Sequence, residues 1–161
     1  MKKLIALFTA VTFLLAMTTT ALAKDRPPAP TEGTPAPENA TLTEKRSLMQ
    51  AAASDGFEID YCANAITIRS STCIRLTSIT STFYVCDKIT NKYILQRWNG
   101  SEWVNYTSTV SISGYEMYEF ITTTDKYVPS GYYYRVKTIH QAYRGIDYDS
   151  KELISHYVYL E

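Results

Sequence analysis

The chain is poor in the residues that carry most enzyme chemistry. It has two histidines and three cysteines, and neither charge sign prevails, with 16 Lys plus Arg against 16 Asp plus Glu. A nucleophilic site needs a Cys or Ser beside a base, and only His140 and His156 are on offer, both near the ends of expected strands. Cys86, His140 and Asp147 can be drawn together, but no G-x-S-x-G motif surrounds any candidate nucleophile. No catalytic residue and no cofactor is assigned, and the chain reads as non-enzymatic. The balanced charge leaves no electrostatic footprint for nucleic acid or an anionic membrane. Zinc is disfavoured because Cys62 and Cys73 are 11 residues apart and a fourth ligand is missing. Asp147, Asp149 and Glu152 gather three carboxylates, but Lys151 interrupts them and the EF-hand glycine is absent. A solvated loop is the expectation there, and no metal ligand is assigned. Glu116 and Glu119 fall on opposite faces of a strand, which excludes a glycosidase-like acid pair.

Long apolar runs are also missing, with one exception at the start. Met1-Lys2-Lys3 is a positive n-region, Leu4 to Met17 is apolar apart from Thr9 and Thr12, and Ala21-Leu22-Ala23 is a small-x-small cleavage site. These are the three parts of a secretory signal in order, and about 14 apolar residues fall short of the ~20 a bilayer span needs. Residues 1–23 are therefore expected to be a signal peptide cut before Lys24, and the protein to be secreted with no stable membrane insertion. No Cys follows Ala23 to take a lipid, and no L-P-x-T-G motif ends the sequence. Without the signal, Lys plus Arg falls from 16 to 14 against 16 acids, a net charge of about −2.

Proline is nearly absent outside one stretch: five of six lie between Pro27 and Pro37. That stretch has no aromatic residue and no apolar period, so residues 24–44 are expected to be a disordered, solvated linker. Thr43 to Ala53 has the makings of one or two helical turns, stopped by Ser54-Asp55-Gly56.

What remains is rich in strand formers. All 14 tyrosines lie after residue 60, among many Thr, Ile and Val. Alternation places Phe57, Ile59 and Tyr61 on one face of a first strand, and Ile66 and Ile68 on a second that runs on towards Ile74 and Leu76. A third region holds Phe83 and Val85. Tyr93 to Trp98 and Trp103 to Tyr106 form a hairpin through Asn99-Gly100, a pair suited to the positive φ of tight turns. Tyr115 to Thr123, Tyr132 to His140 and Ser155 to Leu160 complete about seven strands. The expected fold is an all-β, immunoglobulin- or fibronectin-III-like β-sandwich over residues 45–161. Arg135 and Lys137 seek water, which turns Tyr132, Tyr134 and Val136 inward. Tyr134 after Pro129-Ser130-Gly131, with Val136 two residues on, has the form of a tyrosine corner, whose hydroxyl ties the corner backbone.

The stretch Leu95-Gln96-Arg97-Trp98-Asn99-Gly100-Ser101-Glu102-Trp103, followed by Gly131-Tyr132-Tyr133-Tyr134-Arg135-Val136-Lys137 and His140, resembles a family of small secreted Tyr/Thr-rich proteins of Gram-positive, Clostridia-type bacteria. That family is described only as a domain of unknown function. The resemblance covers roughly Arg46 to Glu161 and departs from the family in its three cysteines and less glycine-rich first half. It implies export and β structure, and no activity.

Two features carry the remaining expectations. Strand parity places Cys62 and Cys73 outward on neighbouring strands, where they pair in a disulfide or all three thiols stay free. Trp98 and Trp103 flank the hairpin loop, Tyr93, Tyr106 and the consecutive Tyr132, Tyr133 and Tyr134 add further rings, and exposed rings on a β face stack on sugars or dock proteins. Plain cross-strand packing is the competing account of the same rings. The sequence thus points to a secreted, non-catalytic interaction or surface-associated module with a protein or glycan partner. A carbohydrate-binding module, or a secreted enzyme or toxin, are the alternatives.

Overall fold

A computed structural model describes residues 26–36, 50–53 and 58–161. The expected signal peptide, the rest of the linker, the Ser54-Asp55-Gly56 stop and Phe57 lie outside these residues. The described chain is all-β, a curled antiparallel sheet in the form of a half-barrel. Its strands are β1 (Gln50–Ala53), β2 (Ile59–Ser70), β3 (Cys73–Trp98), β4 (Trp103–Asn105), β5 (Val110–Tyr127), β6 (Tyr132–Arg144), β7 (Asp147–Ile154) and β8 (Val158–Leu160).

Two long strands explain the curl. Lys88 to Tyr93 of β3 pair with β5 and with β6, so those two occupy opposite edges of β3. Cys73 to Ser81 pair with β5 and with β2. β2 and β6 therefore share one edge of β3, each beside a different half, while β5 follows the other edge throughout. Pairing with β5 breaks between Ser81 and Cys86, where the chain turns a corner. On the facing strand Glu116 takes a positive φ of 51°, a conformation that adds a local bend. Thr82 staples the corner, its hydroxyl placed to donate to the carbonyls of Tyr84 at 2.8 Å and Tyr118 at 3.0 Å. The two halves of the bent sheet fold over each other, β2 against β6 and β7, as in packings whose corners are made by bending strands.

The fold differs from the expected sandwich in this respect: all eight strands belong to one hydrogen-bonded sheet. Three elements also differ from expectation. Gln50–Ala53 is a strand paired with Tyr61 to Asn64, not a helical turn. The acidic stretch Asp147–Ile154 is strand β7, not a loop, because Gly145, with φ 59°, opens a two-residue turn that returns the chain along β6. A register shift between Ile59 and Tyr61 reverses the facing of β2. Ile59 is buried, Tyr61 is 38% exposed, and Cys62 is buried.

Two apolar clusters fill the space between the layers. One joins Ile66, Ile74, Leu76, Tyr93, Leu95, Val128, Tyr134, Val136 and Leu160; the other joins Ile59, Cys62, Cys86, Ile89 and Ala142. Burying such side chains stabilises each by about 1.5–3 kcal/mol against leaving it in water. Tyr134 and Val136 are fully buried, with Tyr132 packed against the same cluster, and the Tyr134 hydroxyl donates to the Pro129 carbonyl at 2.7 Å.

Candidate functional site: an aromatic face holding the leader

The outer face of β6, β8 and the β3–β4 hairpin carries a third cluster: buried Trp98, Tyr133 and Tyr157 with Trp103 and Tyr159 packed on them. Strand parity puts them there. Tyr134 points into the core, so Tyr133 points out, and Tyr157 and Tyr159 alternate with Val158. The hairpin brings the tryptophans together as a cross-strand pair in an edge contact at 5.5 Å. Asn99 shapes its loop by accepting the Ser101 and Glu102 amides, both at 2.9 Å.

Residues 26–36 lie on this face, so the Pro-rich segment is docked here rather than solvated throughout. Pro35 forms a parallel bridge with Tyr157. The Tyr157 amide donates to the Thr34 carbonyl and the Ala36 amide to the Tyr157 carbonyl, both at 2.9 Å. Trp103 Nε1 donates to the Glu32 carbonyl at 3.1 Å, and Pro30 is buried. At the other end Arg26 lies over the Tyr159 ring at 4.3 Å and the Tyr133 ring at 5.3 Å, and its Nε donates to the Tyr133 hydroxyl at 2.9 Å. A second guanidinium, Arg135, stacks on Trp103 at 4.4 Å. Burial holds Arg135 below its ordinary pKa, partly opposed by the Glu32 carboxylate. Gly33 makes the fit: its φ of 93° belongs to glycine, and an added Cβ would lie 3.4 Å from the Tyr157 ring. The leader, β2 and β8 border a cleft of ≈ 950 Å³, lined by Arg26, Ile66, Ile68, Tyr159 and His156 among others. The buried His156 Nδ1 has no hydrogen-bond partner among the described residues.

The four rings expected to form one platform are split between two faces. Trp98 is only 3% exposed, Trp103 is half-buried, and both belong to the outer cluster. Tyr93 is 1% exposed on the inner face, its hydroxyl bonded to the Thr122 carbonyl at 2.9 Å. Tyr106 packs on Tyr134 in the inner core, with Arg97 over its ring at 4.6 Å. An open stacking surface of these four gives way to the competing account, packing within the sheet, in two separate groups. Tyr133 was among the rings the sequence offered, whereas Tyr157, Tyr159, Arg26 and Arg135 were missed; the Ser155 to Leu160 alternation was the available signal for the two tyrosines.

The expected Cys62–Cys73 bridge is also corrected. All three cysteines are buried and none is in a disulfide, the other of the two states the sequence allowed. Cys62 lies opposite Thr80, while Cys73 lies opposite Ser70 beside the turn. Seven positions of β3 separate those levels, about 23 Å at the rise of a β-strand, far beyond disulfide reach. Burial pushes the Cys62 thiol up to about 11, and that of Cys86 is also raised by burial. Thiolates are the reactive form, so neither is an activated nucleophile.

His140 is not at a strand end or rim. It sits fully buried in mid-β6, between the two apolar clusters, in a polar seam. Asn64 Nδ2 donates to Thr138 Oγ1 at 2.8 Å, and Thr80 Oγ1 donates to Asn91 Oδ1 at 2.6 Å. These directions assign the neutral ring's proton to Nδ1. Nδ1 then donates to Thr80 Oγ1 at 2.8 Å, and Nε2 accepts from Thr138 Oγ1 at 2.9 Å. Burial pulls its pKa down to about 4. The ring is spent within this network, and Cys86 contacts Glu58 and the Tyr84 carbonyl instead. The Cys86–His140–Asp147 set does not assemble: Asp147 lies near Arg144, at 3.9 Å. Glu58, fully buried, is held by Arg144 through contacts of 2.6 to 3.0 Å. No group of three or more metal-binding side chains occurs among the described residues.

No family model matches this chain, and neither a curated protein nor a solved structure matches it.

Proposed function

We propose that the chain is an exported, non-catalytic interaction module that grips an extended, proline-containing peptide on its outer aromatic face. The observation that carries this reading is the strand-like addition of Thr34 to Ala36 to Tyr157, flanked by Trp103, Tyr133 and Tyr159. Main-chain pairing gives affinity in such strand additions, while pockets and rings between the hydrogen bonds give selectivity. Each element is modest: about 1 kcal/mol for a hydrogen bond and roughly 0.5–1 kcal/mol for an exposed cation–π contact. Together they suit reversible binding.

The tyrosine-corner hydrogen bond from Tyr134 to Pro129 supports kinship with immunoglobulin- and fibronectin-III-like binding modules. The resemblance to small secreted Clostridia-type proteins belongs to the same proposal, as does secretion through the signal at residues 1–23. A synthetic peptide with the sequence of residues 26–36, titrated into the full chain with its own leader replaced by Gly and Ser at equal length, tests the reading. Saturable binding that weakens on Tyr159→Ala is expected; no binding rejects it.

A further inference from the structure

We infer that Arg26–Ala36 is a resident pseudo-ligand, a gate that must leave before a partner's own cation- and proline-bearing extended segment can bind. This inference rests on the peptide-binding reading above and adds a regulatory contact to it. The leader meets the face at separated points: Arg26 on Tyr133 and Tyr159, the Glu32 carbonyl on Trp103, and Thr34 and Ala36 on Tyr157. Apart from the Arg26 cation and buried Pro30, these contacts use leader main chain. Another extended chain carrying a guanidinium, a proline and a glycine at these spacings can reproduce them.

The cover is thin. Thr31 to Pro35 are all exposed although they cross the face. Its conformation depends on Gly33, whose positive φ an L-residue rarely adopts. A segment joined covalently to the domain it covers competes with an incoming ligand at a high local concentration. The apparent affinity for the partner then falls by the fraction of molecules that are open.

Gly33→Val tests the gate without replacing any residue of the ring face. A β-branched side chain disfavours φ of 93° and crowds Tyr157, so the leader should lift while the sheet keeps its fold. A fluorescein-labelled peptide of residues 26–36 is titrated into native and G33V full-length protein, with circular dichroism confirming equal folding. The G33V protein should bind about tenfold more tightly, the penalty expected for an L-residue at positive φ. Replacing the whole leader by Gly and Ser should give at least the same gain, and changing Arg26 to Ala within the peptide should weaken it. Equal affinity for native, G33V and leader-replaced protein overturns the gate but leaves peptide binding intact. No binding to any form overturns both.

Discussion

Thr80 and His140 meet across the folded sheet at 2.8 Å, Oγ1 to Nδ1, tying the first half of β3 to β6 through a neutral imidazole. Both ring nitrogens are engaged, and burial holds the ring's pKa near 4 against an ordinary 6.5. The unfolded chain therefore binds the proton more readily than the folded one. Stability from this residue is complete above about pH 6.5, falls as pH drops, and is fully lost below about pH 4. The shift corresponds to roughly 3 kcal/mol. Urea unfolding midpoints across that range should decline, and His140→Gln should flatten the decline even though its own midpoint is lower. An unchanged slope in H140Q would remove His140 as the source.

Tyr134 gives a second stability test. Its ring is buried in the inner core and its hydroxyl donates to the Pro129 carbonyl at 2.7 Å. Tyr134→Phe keeps the ring and should lose about 1 kcal/mol, a typical net hydrogen bond. Tyr134→Ala also opens a cavity and should cost about 3–5 kcal/mol. Equal losses in the two variants, measured by denaturation, would show that the hydrogen bond rather than the ring dominates.

Part of this arrangement was legible in the sequence. The period-two patterns fixed most strands, and the charges of Arg135 and Lys137 correctly turned Tyr134 and Val136 inward. Parity counting failed where the count was broken, since the register shift after Ile59 places Cys62 on the face opposite to the expected one. Sequence patterns do not reveal such a bulge, because one extra residue leaves composition unchanged. The β7 acids were misread for a different reason. Their polarity suggested solvent, yet Asp149 accepts the Glu58 and Ile59 amides at 3.2 and 3.0 Å. The bending of β3 was equally hidden, because a 26-residue strand with a corner reads locally as two strands. The leader's docking depends on partners more than 70 positions away, as in Trp103 to Glu32, which local pattern does not register.

The thiols provide a check on the folded chemistry. Cys62, Cys73 and Cys86 are buried and in no disulfide, so an aromatic disulfide reagent should react slowly with native protein and release three equivalents after denaturation. Rapid reaction in the native state, or fewer than three thiols after unfolding without reductant, contradicts this state.

Trp98 and Trp103 should separate packing from recognition. They touch edge to face at 5.5 Å, but Trp98 is 3% exposed and Trp103 is half-buried, with its indole N–H on the leader. Trp98→Ala empties a packed position and should lower stability by about 3–5 kcal/mol. Trp103→Ala should cost clearly less in unfolding experiments, yet it removes both the donor to Glu32 and the surface under Arg135. Its main effect should therefore appear in peptide titrations, as weaker binding to a leader-replaced protein that still folds. Trp103→Phe keeps a ring for Arg135 and loses only the donor, so it should restore part of that binding. If W103A unfolds as readily as W98A and W103F recovers stability but no binding, the outer ring cluster is a structural pack and Trp103 has no part in recognition.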